Sequence, residues 1–186
     1  MHVLQLELKQ SLPLAITRLP TIELFCDARG HPGHVAAVLA NDSGIMYTDW
    51  APPSEVLATF HNRNDNQIMG LEILAVVLGL CTFRDKLSGH LVRVWEDNAG
   101  AEGSIATGGS KASDHNLLVH AIWFMAAKYG FGLWVERVCS EDNIADNPSR
   151  EDHNLLRQLG AIWCPPYLPV ELWQPTAWAA YDKLPL

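Results

Sequence analysis

TIELFCDARGHPGHVAAVLANDSGIMYTDW, residues 21–50, holds three short apolar runs separated by turn residues. The first run, 21–28, is rich in β-formers and apolar at Ile22, Leu24 and Cys26. RGHPGH supplies a turn, VAAVLA (35–40) reads as a buried strand, NDSG is another turn, and IMYTDW (45–50) reads as a third strand. Strands joined by turns this short pair antiparallel, so the stretch predicts a three-stranded meander.

Downstream the texture changes. NDNQIMGLEILAVVLGLCTF (64–83) predicts a helix opening on Asn/Asp caps. HLVRVWED (90–97) is a strand, and the glycine-rich piece after it has room for a short helix at most. DHNLLVHAIWFMAAKYG (114–130) places Leu117, Leu118, Ala121, Ile122 and Met125 on one helical face, with Gly130 as the C-terminal stop. FGLWVERVC (131–139) alternates as a strand, and a last helix is expected over roughly 143–159. The order is β-β-β-α-β-α-β-α. Strand–helix–strand units demand right-handed crossovers and parallel pairing. The expected fold class is therefore α/β: a mixed five-stranded sheet, three antiparallel strands then parallel ones, flanked by helices. Residues 1–20 read as a lead-in or tether, 21–160 as the domain, and 161–186 as a Trp/Pro-rich tail of no assignable structure.

Bulk properties narrow the function. The chain has 186 residues, 48% hydrophobic and 18% charged, so it is neither disordered nor membrane-like in composition. The longest apolar run, 73–83, is too short to cross a bilayer, and no signal peptide is legible. Four scattered cysteines without a C-x-x-C pair argue against a zinc ribbon and for reduced thiols inside a cell, in cytoplasm or nucleus. A net charge of −8 argues against gripping nucleic acid by bulk electrostatics. Any nucleic-acid function would need bound cations or a basic neighbour.

Three carboxylates stand where carboxylates are disfavoured, and a fourth opens a helix. Glu72 shares a helix face with Ile68, Met69, Ala75 and Val76, where a lone charge costs several kcal/mol unless paired or metal-bound. The alternative is an edge position that reaches water. Asp27 closes an apolar strand run; the alternative is a turn-starting Asp. Asp97 leaves a central parallel strand, where open α/β sheets place ligands, or else it caps the next helix. Asp146 lies in SEDNIADNPSRED (140–152), in the first turn of a helix that Asn143 would cap. The flanking Glu141, Asp142, Glu151 and Asp152 read as solvated. The four acids are 45, 25 and 49 residues apart, so only a fold can unite them. If they converge, their repulsion calls for divalent cations, and hard oxygen ligands suit Mg²⁺ or Mn²⁺.

IELFCDARG, QIMGLEILAV, VRVWEDNAGA and SEDNIADNPSR resemble, in order and context, the four acidic motifs of ribonuclease H. The last is similar to the N-x-A-D-x-x-S-R pattern of retroelement reverse transcriptases, matched by Asn143, Ala145, Asp146, Ser149 and Arg150. The stretch before it is similar to DIRS-like and pararetrovirus-like elements, and the resemblance covers about 21–152. It implies a two-metal endonuclease that cuts the RNA strand of an RNA–DNA hybrid. Two Mg²⁺ ions, replaceable by Mn²⁺, would be held by Asp27, Glu72, Asp97 and Asp146. The implied partner is a reverse transcriptase domain of the same polyprotein. Asn98, Ser110, Lys111 and Arg29 are the candidate substrate contacts.

The chain also departs from the family. The loop CSED lacks the histidine that cellular members often carry before the last acid, Arg29 replaces a common Ser or Thr, and no long basic handle is present. Outside the motifs, His31, His34 and His61 read as exposed turn residues rather than a metal set. Trp95, Trp123 and Trp134 read as packing, and Trp163, Trp173 and Trp178 as cover for a domain face or a partner site. Two other readings stand beside a nuclease of this kind: an inactive scaffold with the same fold, or another nuclease or transferase of the same superfamily.

Overall fold

The computed structural model describes residues 19–61, 64 and 67–169. The meander is present as β1 (Thr21–Arg29), β2 (His34–Asn41) and β3 (Gly44–Trp50), each antiparallel to the next. Two parallel strands, β4 (Leu91–Glu96) and β5 (Gly132–Arg137), extend the sheet on the β1 side. A two-residue strand, β6 (Ile162–Trp163), lies parallel to β3 and gives the order β5-β4-β1-β2-β3-β6. This sixth strand comes from the tail that sequence reasoning left unassigned; two residues are too few for an alternation pattern. The rest of the tail beyond 169, with Trp173 and Trp178, and lead-in residues 1–18 lie outside the described residues.

The helices are α1 (Ser54–Leu57), α2 (Ile68–Thr82), α3 (Ala99–Thr107), α4 (Ser113–Tyr129), α5 (Asp146–Ser149) and α6 (Asn154–Gln158). Every residue from Gly70 to Cys81 is buried, because α2 is packed between the sheet and helices α3 and α4. A helix covered on all sides has no amphipathic stripe, only a continuous apolar run. Gly79 is what lets α2 approach the sheet: a Cβ there would stand 2.8 Å from Ala37 Cβ and 3.2 Å from a Leu24 methyl. Ile22, Leu24, Val35, Ala37 and Leu39 supply the sheet side of this core. On the opposite face, Val38 and Tyr47 form a smaller core with Ala145 and Leu156.

The short helix for which the glycine-rich stretch after β4 has room is nine-residue α3, capped by Asn98, whose Oδ1 accepts from the N–H groups of Gly100 (2.9 Å) and Ala101 (3.1 Å). One expectation changes. The helix expected over 143–159 is two short pieces, broken where Glu151 takes a left-handed φ of 65°. Among the described residues, no helix is long and apolar enough to cross a membrane.

Candidate active site

The parallel register of β1 and β4 pairs Phe25 with Trp95. Continued by two residues, it sets Asp27 beside Asp97. Glu72, in the second turn of α2, reaches the same point from the helical layer. The carboxylates of Asp27, Glu72 and Asp97 each offer an oxygen within 4.8 Å of the others. Among the described residues they are the one group of three such side chains able to share an ion. Asp27 and Glu72 are each 4% exposed, so the water-reaching edge position for Glu72 does not hold.

The electrostatics follow from burial. Desolvation pushes the Asp27 carboxyl up to about 7, and Asp97 and Asp146 push the same way. The Ser149 hydroxyl opposes them; it also hydrogen-bonds the Asp146 carbonyl at 2.8 Å. Glu72 is raised well above the carboxylate range by burial, then by Glu96, Asp27 and Asp97, against a hydrogen bond from the Ala28 N–H. Its Oε2 is buried without a hydrogen-bond partner, a costly state for an ionised oxygen. An all-oxygen donor set with an orphaned buried oxygen fits a hard divalent cation.

Glu96 is a fifth acid that sequence reasoning missed. It is 0% exposed, its Oε1 accepts from the Asn98 N–H at 3.2 Å, and its Oε2 has no partner. Burial drives its carboxyl well upward. The signal was present: Glu96 shares the inward parity of Val92 and Val94, so alternation alone turns it toward the core.

Asp146 stands apart from the tight group. It opens α5 near enough to Asp27 to raise its carboxyl, and Arg150 grips it at 2.7–3.0 Å. Asn143 is not the helix cap expected of it. Its Nδ2 donates to the Cys26 carbonyl (2.8 Å) and its Oδ1 accepts from the Ala145 N–H (3.2 Å). The Asp146 segment is thereby tied to β1 one residue before Asp27. Glu141, Asp142, Glu151 and Asp152 are exposed as expected.

Two solved structures resemble this arrangement of strands and helices. One is the RNase H1 of the halophilic archaeon Halobacterium salinarum, with 12% identity, 69% of this chain and 92% of that chain covered, and a TM-score of 0.51. The other is the N-terminal RNase H domain of a Mycobacterium tuberculosis protein, with 15% identity, coverage of 76% and 99%, and a TM-score of 0.52. The fold is that of ribonuclease H. No family model and no curated protein matches the sequence.

Within the ribonuclease H fold the candidate substrate contacts have local duties. Asn98 uses its Oδ1 in the α3 cap, which leaves its Nδ2 side for a ligand. Ser110 Oγ accepts from the Ala112 N–H at 3.2 Å, and Lys111 is exposed. Arg29 is paired with Glu151 at 2.8 Å. The histidine expectation is corrected at His34, which is buried against Asp49 at 3.0 Å; His31 is exposed. The tryptophans are not core packing either. Trp134 is 57% and Trp123 38% exposed, while Trp95 is half-buried and stacks on Phe25 with ring centroids 6.0 Å apart.

Proposed function

We propose that the chain is an endonuclease that hydrolyses the RNA strand of RNA–DNA hybrids with two Mg²⁺ ions, for which Mn²⁺ can substitute. The observation that carries this is the meeting of Asp27, Glu72 and Asp97 from three separate elements, with oxygens within 4.8 Å of one another. In this reading Asp27, Glu72, Asp97 and Asp146 would hold the two ions, with Glu72 and Asp97 serving the side of the leaving 3′-oxygen and Asp146 the side of the attacking water. Bound there, two divalent ions supply Lewis acidity and lower the pKa of water.

The chain's own residues do the rest. Asp27, with its carboxyl at about 7 in the metal-free chain, would hold an ion in its deprotonated form. Asn143 fixes the approach of Asp146 through its bond to the Cys26 carbonyl. Lys111 meets a backbone phosphate, and Asn98 and Ser110 meet the RNA 2′-hydroxyl that distinguishes RNA from DNA. With Arg29 neutralised by Glu151 and a net charge of −8, the domain alone grips the hybrid weakly. A reverse transcriptase domain in the same polyprotein would supply the missing grip, and the N-x-A-D-x-x-S-R pattern at 143–150 supports a retroelement setting.

The test is an end-labelled RNA–DNA hybrid incubated with the protein and Mg²⁺ or Mn²⁺, beside Asp97→Asn. Metal-dependent cutting of the RNA strand alone, lost in the variant, is the expected result. Hybrid binding without cleavage in wild type would sink the proposal and favour a scaffold.

A further inference from the structure

Among the described residues, Asp146 is the one proposed ligand whose carboxylate already has a cation. Arg150, one helical turn on, donates from Nε to Oδ1 (2.9 Å) and Oδ2 (3.0 Å) and from Nη2 to Oδ1 (2.7 Å). The planar guanidinium thus engages both oxygens at once, the geometry in which Arg–carboxylate pairs are strongest. Its charge also senses the rest of the pocket: Asp146, Asp27 and Asp97 all favour its protonated form. The side chain is 61% exposed, so it can swing away without uncovering apolar core. Arg29, two residues beyond Asp27 in the sequence, is paired with Glu151.

Resting on the two-ion reading above, we infer that Arg150 is a resident counter-cation of the acid pocket, a latch on Asp146 that a divalent ion must open to bind there. A divalent ion on either Asp146 oxygen would stand within a few Å of the guanidinium, where like charges repel strongly. The ion and the fork therefore compete for one carboxylate. Among the described residues the Asp27–Glu72–Asp97 group carries no such fork, so its ion loads first and the Asp146 ion second. Once released, the fork keeps its bidentate donors for another anion, such as a phosphodiester. The latch makes filling of the second position depend on metal concentration, and it keeps the empty pocket from carrying its full negative charge.

The experiment is Mn²⁺ binding to the full chain without nucleic acid, followed by calorimetry and by electron paramagnetic resonance of free Mn²⁺, for wild type, Arg150→Gln, Arg150→Lys and Asp146→Asn. In Arg150→Gln the weaker of two ions is expected to bind about five-fold tighter, the scale of losing one favourable ion pair. Arg150→Lys, which keeps charge but loses the fork, is expected to fall between. Adding Arg150→Gln to Asp146→Asn is expected to change nothing. In a separate Mg²⁺ titration of wild type, the Arg150 Nε–H resonance should shift as the second ion loads. Unchanged or weakened second-ion affinity in Arg150→Gln would overturn the latch while leaving the two-ion reading intact. So would an Nε–H resonance indifferent to saturating Mg²⁺. Absence of any Mn²⁺ binding in wild type would overturn both.

Discussion

Replacing Asp27 by Asn is expected to stabilise the metal-free protein, and more so at pH 8 than at pH 5. Burial holds the Asp27 carboxyl at about 7 in the folded chain, against about 3.9 in an unfolded one. The folded state therefore keeps a proton that the unfolded state loses, and its stability falls as pH rises from about 4 through about 7. At about 1.4 kcal/mol for each tenfold change in proton affinity, the penalty is roughly 1.5 kcal/mol at pH 5 and roughly 4 kcal/mol at pH 8. Asn keeps the shape of the neutral carboxyl and carries no such penalty. Glu72 and Glu96 are shifted in the same direction, mainly by their own burial, which is the same in either protein; the part due to the Asp27 charge disappears in the variant and adds to the same pH trend. The stability advantage of Asp27→Asn should thus widen by about 2–3 kcal/mol between the two pH values. Urea unfolding in excess chelator at pH 5 and pH 8 measures it. An advantage that stays constant with pH, or a variant less stable than wild type at pH 8, would refute the burial argument. Saturating Mg²⁺ should reverse the order, because an ion that binds only the folded wild type adds to its stability.

Gly79→Ala is expected to destabilise by about 1–2 kcal/mol, since overpacking costs roughly 1–3 and outweighs the ~1 kcal/mol gain in helix propensity; the new Cβ would stand 2.8 Å from Ala37 Cβ. Chemical denaturation checks it, and a stabilised variant would show that α2 has room to shift. Asn143→Ala, which removes the bond to the Cys26 carbonyl, should cost about 1–3 kcal/mol. In a hybrid-cleavage assay it should lose more activity than that stability loss accounts for, because Asp146 is left untethered. Mg²⁺ should raise the melting temperature of wild type but not of Asp97→Asn; equal shifts would place the ion elsewhere.

Several features were legible in the chain because they depend on near neighbours. Alternation in 21–50 gives the meander, and helical spacing in 114–130 gives α4, found at Ser113–Tyr129. Asp27, Glu72 and Asp97 stand out because each follows or interrupts an apolar pattern, whereas Asp146 stands out by the N-x-A-D-x-x-S-R pattern around it. Elsewhere local signals misled. Trp134 and Trp123 look like core residues by type, yet the faces of β5 and α4 that carry them meet solvent. Asn143 has the look of a helix cap, but a carbonyl 117 residues away claims its amide.

The sequence by itself determined most of the strands and helices, β6 and the break between α5 and α6 aside, and which carboxylates interrupt an apolar pattern, since side-chain periodicity is a property of a few consecutive residues. Only the tertiary structure decided that Asp27, Glu72 and Asp97 meet, that Glu96 is sealed beneath them, that α2 is covered on every side, and that Arg150 holds Asp146 while Glu151 holds Arg29. Those outcomes turn on strand register and on which distant layer covers each face. Desolvation and Coulomb forces act through space on whatever the packing brings within a few Å, regardless of separation along the chain.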